Sequence, residues 1–168
     1  LPDAEANDHA LLAETYKQCF FRARSEGRVH EPLYDGIVEL LDALESDRWL
    51  LAVATGKSDR GLGHCLGCHG LEGRFVSLQT GDRHPSKPHP SMALQAMADA
   101  GASAETTIVV GDTAFDMAMG RAAGATAIGA GWGYHEPADL IAAGAVGVAA
   151  HPGNVVALIP PLEEQRYG

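Results

Sequence analysis

Short apolar runs that alternate with stretches of helical spacing set the tightest limit on how this chain can fold. The segment 49–55, WLLAVAT, is apolar almost throughout, which is the pattern of a strand buried on both faces. Further short runs at 75–78, 107–111, 125–130 and 146–150 read as strands. Helical spacing fills the intervals at 59–67, 90–102, 114–124 and 137–145, and IVELLDALES (37–46) gives a helix before the first strand. Strand and helix in regular alternation predict an α/β fold with a doubly wound parallel sheet of Rossmann type.

In open parallel sheets, ligands bind beyond the carboxyl ends of the strands. Read with that rule, the sequence puts Thr55 after LLAVA, and Gly111 and Asp112 after TIVV. Asp116 follows four residues later, one turn into the next helix, so both carboxylates can face one side. Two acids this close repel, and a cation between them removes the conflict. A hard divalent ion with oxygen ligands suits the pair, and Mg²⁺ is the natural choice where carboxylates are few and waters complete the shell. The other reading open at this point has Asp112 capping the helix and Asp116 as a solvated first-turn acid.

The loop RHPSKPHPSM carries Lys87 between prolines that restrict its backbone, again after a strand and before a helix. ATGKSDRG contains Gly-Lys-Ser, but Leu51 stands where a nucleotide P-loop requires glycine. The Thr55 hydroxyl and the Gly56 N–H at a helix start can still hold a single phosphate.

Composition narrows the partners. The 168 residues carry a net charge of −10, which disfavours nucleic-acid backbones as ligands. An anionic substrate would need local positive charge or a metal to offset that field. No apolar run has membrane-spanning length, and the acidic, polar start does not read as a secretory signal. Three cysteines, Cys19, Cys65 and Cys68, make no disulfide framework, and a reducing cytoplasm is the expected setting. The chain opens LPDAEAND without an initiator Met, as expected of a processed or truncated product.

Taken together, Thr55 at a strand end, Lys87-Pro88 and VVGDTAFDM resemble the second, third and fourth motifs of the haloacid dehalogenase (HAD) superfamily of phosphatases, in order, across about 33–160. The stretch AIGAGWGYHEPADLIAAGA is similar to the phosphoglycolate phosphatase branch. The resemblance implies a Mg²⁺-dependent phosphatase of small phosphorylated metabolites. In that family the residue at Thr55 binds the transferring phosphoryl group, Lys87 binds phosphate and the nucleophile, and Asp112 and Asp116 hold the metal, directly or through water. The chemistry it implies is attack by an Asp carboxylate to form an aspartyl-phosphate, with a second Asp as general acid and base.

The sequence departs from the family at one place. The nucleophile motif, an apolar strand ending Asp-x-Asp-x-Thr, is not found upstream, where the acids Asp3, Glu5 and Asp8 follow no apolar strand. Residues 1–32, with a helical spacing over 9–27 behind an Asp8 cap, resemble the last part of a helical cap, and 33–168 an incomplete α/β core. The missing strand is central in the family, between LLAVA and TIVV. Its absence predicts a gap of roughly 9–10 Å between those neighbours, two strand spacings, and no direct pairing of 50–54 with 107–110. The chain is then expected to be a fragment whose missing N-terminal segment is a partner, inactive alone. Two other classes remain open: a non-catalytic HAD-like binding module, and a zinc or haem protein using Cys65-x-x-Cys68-His69 with His64.

Overall fold

The computed structural model describes Thr15 and residues 31–160. The chain divides into two units, 1–32 and 33–168, and every element below belongs to the second. The helix expected over 9–27 lies, Thr15 apart, outside the described residues.

Helix α1 (Ile37–Ser46) leads into β1 (Ala52–Thr55), α2 (Asp59–Cys68) and β2 (Ser77–Thr80). Then come α3 (Ser91–Ala100), β3 (Ile108–Gly111), α4 (Ala114–Ala122) and β4 (Thr126–Ala130). The described chain closes with α5 (Pro137–Ala142), β5 (Val148–Ala149) and the short α6 (Val155–Leu158). All strand pairs are parallel, so the α/β alternation expected from the sequence is the one observed. Among the described residues no helix is long and apolar enough to cross a membrane.

One strand sits two residues later than its apolar pattern suggests. Phe75 packs with Leu62, Leu66 and Leu71 ahead of the strand, while the polar Gln79 and Thr80 lie inside it and are buried. Their burial is tolerated because each is hydrogen-bonded: Gln79 donates to Asp99 at 2.8 Å and Thr80 to Asp59 at 2.7 Å.

The strands form two sheets, β1-β2 and β3-β4-β5. Among the described residues β1 pairs with β2 alone and β3 with β4 alone, so 50–54 and 107–110 do not pair. A cleft of about 720 Å³ lies where they would have met, lined by Leu50–Ala54 on one side and Thr106–Gly111 on the other. Its two halves are tied together by helices rather than by the sheet. Met92, Ala93 and Met97 of α3 form a buried cluster with Met119 of α4, and Ala54 of β1 and Val109 of β3 both pack against it. The next residue back, Val53, points to the opposite face and packs with Leu41 of α1 on the α2 cluster. Leu40 and Leu44 of the same helix reach the cluster of Ala149 and Val155. Thus α1 on one face and α3 on the other bridge the cleft.

The free edge of β3 can be read residue by residue. Thr126 N–H donates to Thr107 O at 3.1 Å, in register with Ile108 opposite Thr126. In a parallel ladder alternate residues turn their peptide groups to opposite sides. Thr107, Val109 and Gly111 therefore face β4, and Ile108 and Val110 face the cleft.

Hydrogen exchange on this chain should thus show the Ile108 and Val110 amides exchanging faster than those of Val109 and Gly111; equal protection of all four would mean that the β3 edge is paired. A second expectation concerns acid. The Asp99 carboxyl is held below its usual range, first by the Gln95 amide and then by the Ser77 hydroxyl, and that of Asp59 by Thr80 and then Arg83. A depressed carboxyl stabilises the fold above its unfolded pKa of about 3.9, and this contribution is lost as pH falls through the lower folded value. Melting temperature should drop between about pH 5 and pH 3, and Asp99→Asn should shrink that drop.

Candidate active site

The carboxyl ends of the strands bring three of the expected side chains to the cleft: Lys87, Asp112 and Asp116 all line it. Thr55 ends β1 and Gly56 follows it, on the half-sheet that also carries Lys87, and neither is part of the cleft lining. The Thr55 hydroxyl accepts the Lys57 N–H at 3.2 Å. Ser58 caps α2 by accepting the Gly61 N–H at 3.1 Å.

Asp116 is the best-anchored member. It is 6% exposed, and both carboxylate oxygens are engaged. Oδ1 accepts the Lys87 ammonium at 2.5 Å. Oδ2 accepts the Thr113 N–H at 3.1 Å and the Thr113 hydroxyl at 2.7 Å, while Thr113 Oγ1 receives the Asp116 N–H at 3.3 Å. This reciprocal pair is a capping box on α4. The helix cap is therefore Thr113 and not Asp112, and Asp116 is no solvated first-turn acid. The cap forms one residue later because Asp112 is claimed by another loop.

Asp112 is clasped by the segment after β4. Its Oδ2 accepts the Tyr134 N–H at 3.1 Å, and its backbone carbonyl accepts the His135 N–H at 3.1 Å. His135 Nδ1 in turn accepts the Ala114 N–H at the start of α4, 3.2 Å away. Two glycines permit these approaches. A Cβ at Gly111 would fall 2.3 Å from Asp116 Cβ, and one at Gly133 only 2.1 Å from Asp112 Cβ, far inside any van der Waals contact. Neither the clasp at 133–135 nor the role of Thr113 was read from the sequence. The signal for Thr113 was available, as a Thr three residues before an acid at a helix start.

The donor set bears on a metal. Among the described residues no three His, Cys, Asp or Glu side chains gather to form a cation site. A cation at Asp112, with Asp116 beside it, would draw its remaining ligands from carbonyls and waters, a set that suits Mg²⁺ and not a soft ion. Cys65 and Cys68 are free thiols on α2, Cys68 Sγ lies 3.4 Å from His64 Nε2, and with His69 they assemble no closed zinc site. Leu62 and Leu66 of this helix are buried in the core, which accounts for the segment structurally.

Comparison with known proteins agrees with this architecture. The chain is 40% identical over 139 residues to the protein named "Probable phosphatase IndB" of Dickeya dadantii (strain 3937), covering 82% of this chain and 60% of that one. It is 31% identical over 104 residues to the phosphoglycolate phosphatase of Haemophilus influenzae (strain ATCC 51907 / DSM 11121 / KW20 / Rd), covering 61% of this chain and 46% of that one. The chain thus spans about half the length of these curated relatives. A hydrolase from Pseudomonas syringae superposes with a TM-score of 0.79 at 25% identity, over 92% of this chain and 69% of that one. The family model described as "Haloacid dehalogenase-like hydrolase" matches residues 4–130, and the chain belongs to that family.

Proposed function

We propose that the chain carries the phosphate- and metal-handling part of a phosphatase for small phosphorylated metabolites, with phosphoglycolate as the leading substrate. The observation that carries this is the Lys87–Asp116 pair, 2.5 Å apart at the strand-end lip of the cleft beside Asp112. The cleft between β1 and β3 is taken to receive one further parallel strand, from a segment of the same protein, which delivers the nucleophilic carboxylate. Residues 33–168 then form the core, and 1–32 belong to a helical cap that selects the substrate.

In this reaction a carboxylate on the added strand attacks phosphorus. The second Asp of that strand gives its proton to the leaving ester oxygen, then takes one from the water that attacks phosphorus, so that phosphate is released and the first carboxylate is restored. Lys87 keeps the attacking carboxylate ionised and offsets charge building on the phosphoryl oxygens. The Thr55 hydroxyl and Gly56 N–H, at the end of β1 just outside the cleft lining, hold the phosphoryl group from the side opposite Asp112. Thr113 fixes Asp116, which fixes Lys87 in turn. Mg²⁺, when bound at Asp112 and Asp116, supplies electrostatic stabilisation of the transferring group. The acidic surface of the chain makes these two cations necessary, since its own field repels a phosphate.

The test is a phosphate-ester panel with Mg²⁺ or EDTA, run on the chain alone and on the chain joined to an apolar strand ending Asp-x-Asp-x-Thr. No turnover is expected from the first and Mg²⁺-dependent release from the second; turnover by the 168 residues alone would refute the account of the nucleophile. No release from the joined protein, with phosphate still bound, would favour a binding module instead. In the joined protein Lys87→Met should lower kcat by at least about 100-fold. Gly133→Ala, by displacing Asp112, should cost activity, while Gly63→Ala, where a Cβ meets nothing within 4 Å, should not.

A further inference from the structure

Lys87 lies near the middle of a loop that is otherwise largely solvent-exposed. Between Pro85 and His89 it is the one residue that is part-buried, and its neighbours Ser86 and Pro88 are exposed. Something other than packing must hold the loop. One imidazole spans its base: His84 Nδ1 lies 2.7 Å from Ser91 Oγ at the start of α3, and His84 Nε2 lies 2.7 Å from Gln79 Oε1 on β2.

The direction of this chain of hydrogen bonds follows from its far end. The Asp99 carboxyl is held below its usual range, first by Gln95 and then by Ser77, so it is ionised and can only accept. The Ser77 hydroxyl donates to Asp99 Oδ2 at 2.7 Å. The Gln79 amide nitrogen donates to Asp99 Oδ2 at 2.8 Å and to Ser77 Oγ at 2.7 Å. With its nitrogen committed there, Gln79 turns Oε1 to the imidazole, so His84 Nε2 must carry the proton. In the neutral imidazole His84 Nδ1 is then the acceptor, and Ser91 donates to it. Ser77 and Gln79 are both buried, which makes the bonds they form costly to lose.

We infer that His84 is a positioning residue for Lys87: clamped between Gln79 and Ser91, it fixes both ends of the 84–91 loop and so aims the Lys87 ammonium at Asp116. What Lys87 then does rests on the phosphatase reading; what holds it rests on this geometry alone. Nothing in the lone sequence HPSKPHPS separates His84 from His89, yet His89 is exposed and its ring accepts the nearby Ser91 N–H at 3.2 Å.

The experiment reads the clamp without turnover, so failure of the phosphatase reading leaves it intact. Nitrogen-15 NMR on the full chain should show His84 as the Nε2–H tautomer and a slowly exchanging Lys87 ammonium. His84→Ala should raise that ammonium's exchange by about five- to tenfold, the size expected for losing one or two neutral hydrogen bonds. His89→Ala should leave it unchanged. His84→Gln, which retains a donor for Gln79, should recover part of the protection. If His84→Ala unfolds the chain, Ser91→Ala removes one bond of the clamp and should give a smaller rise of the same sign. An unchanged Lys87 signal in a folded His84→Ala chain, or in Ser91→Ala, would overturn the proposal, as would the Nδ1–H tautomer. In the joined, active protein the same substitution should lower kcat by about five- to tenfold with KM within about twofold.

Discussion

A strand edge that no other described strand pairs governs this molecule. Ile108 and Val110 turn their peptide groups into a cleft where, among the described residues, no strand answers them. An unpaired backbone edge beside an apolar wall is costly to bury and prone to acquire a partner. The fold tolerates it because α1 and α3 span the two half-sheets from opposite faces. Sheet hydrogen bonds hold each half together, and side-chain packing holds the halves in place.

The polar lip of the cleft is held by the same two halves. Asp112 and Asp116 come from the β3 side, and Lys87 comes from the loop after β2 on the other side. Their meeting is an ion pair between a part-buried lysine side chain and a buried carboxylate. A pair this sheltered stabilises only when its remaining hydrogen-bonding capacity is met. Thr113 meets it for Asp116, with two donors on Oδ2. The pair thus ties the two half-sheets at the strand ends, where ligands bind in folds of this kind.

Much of this was legible in the residues. IVELLDALES gave its helix to the residue, because the amphipathic spacing agrees with one buried stripe. The strands at 107–111 and 125–130 were placed within a residue, since β-branched or small apolar runs bounded by glycine admit few alternatives. The second strand was misplaced by two because Gln79 and Thr80 look like loop residues until their buried partners are known. The final short helix at Val155–Leu158 went unread, being too brief to show a period. Lys87, Asp112 and Asp116 are legible as site residues through the family resemblance and their place after strands; the Lys87–Asp116 pair and the hydrogen bonds that orient it are not.

By itself the sequence determined the order of strands and helices, the family, and the residue types available at the strand ends. It did so because periodicity and turn chemistry are local, and because motif order survives in one dimension. Only the tertiary structure decided that Thr113, not Asp112, caps the helix. It alone picked His84 over His89, while the open cleft between β1 and β3 agrees with the gap that the missing motif implied. Those outcomes depend on atoms brought together across 20 or more residues of chain, such as Asp112 with Tyr134, Gln79 with Asp99 and Lys87 with Asp116. No local pattern encodes which of several chemically similar side chains will arrive.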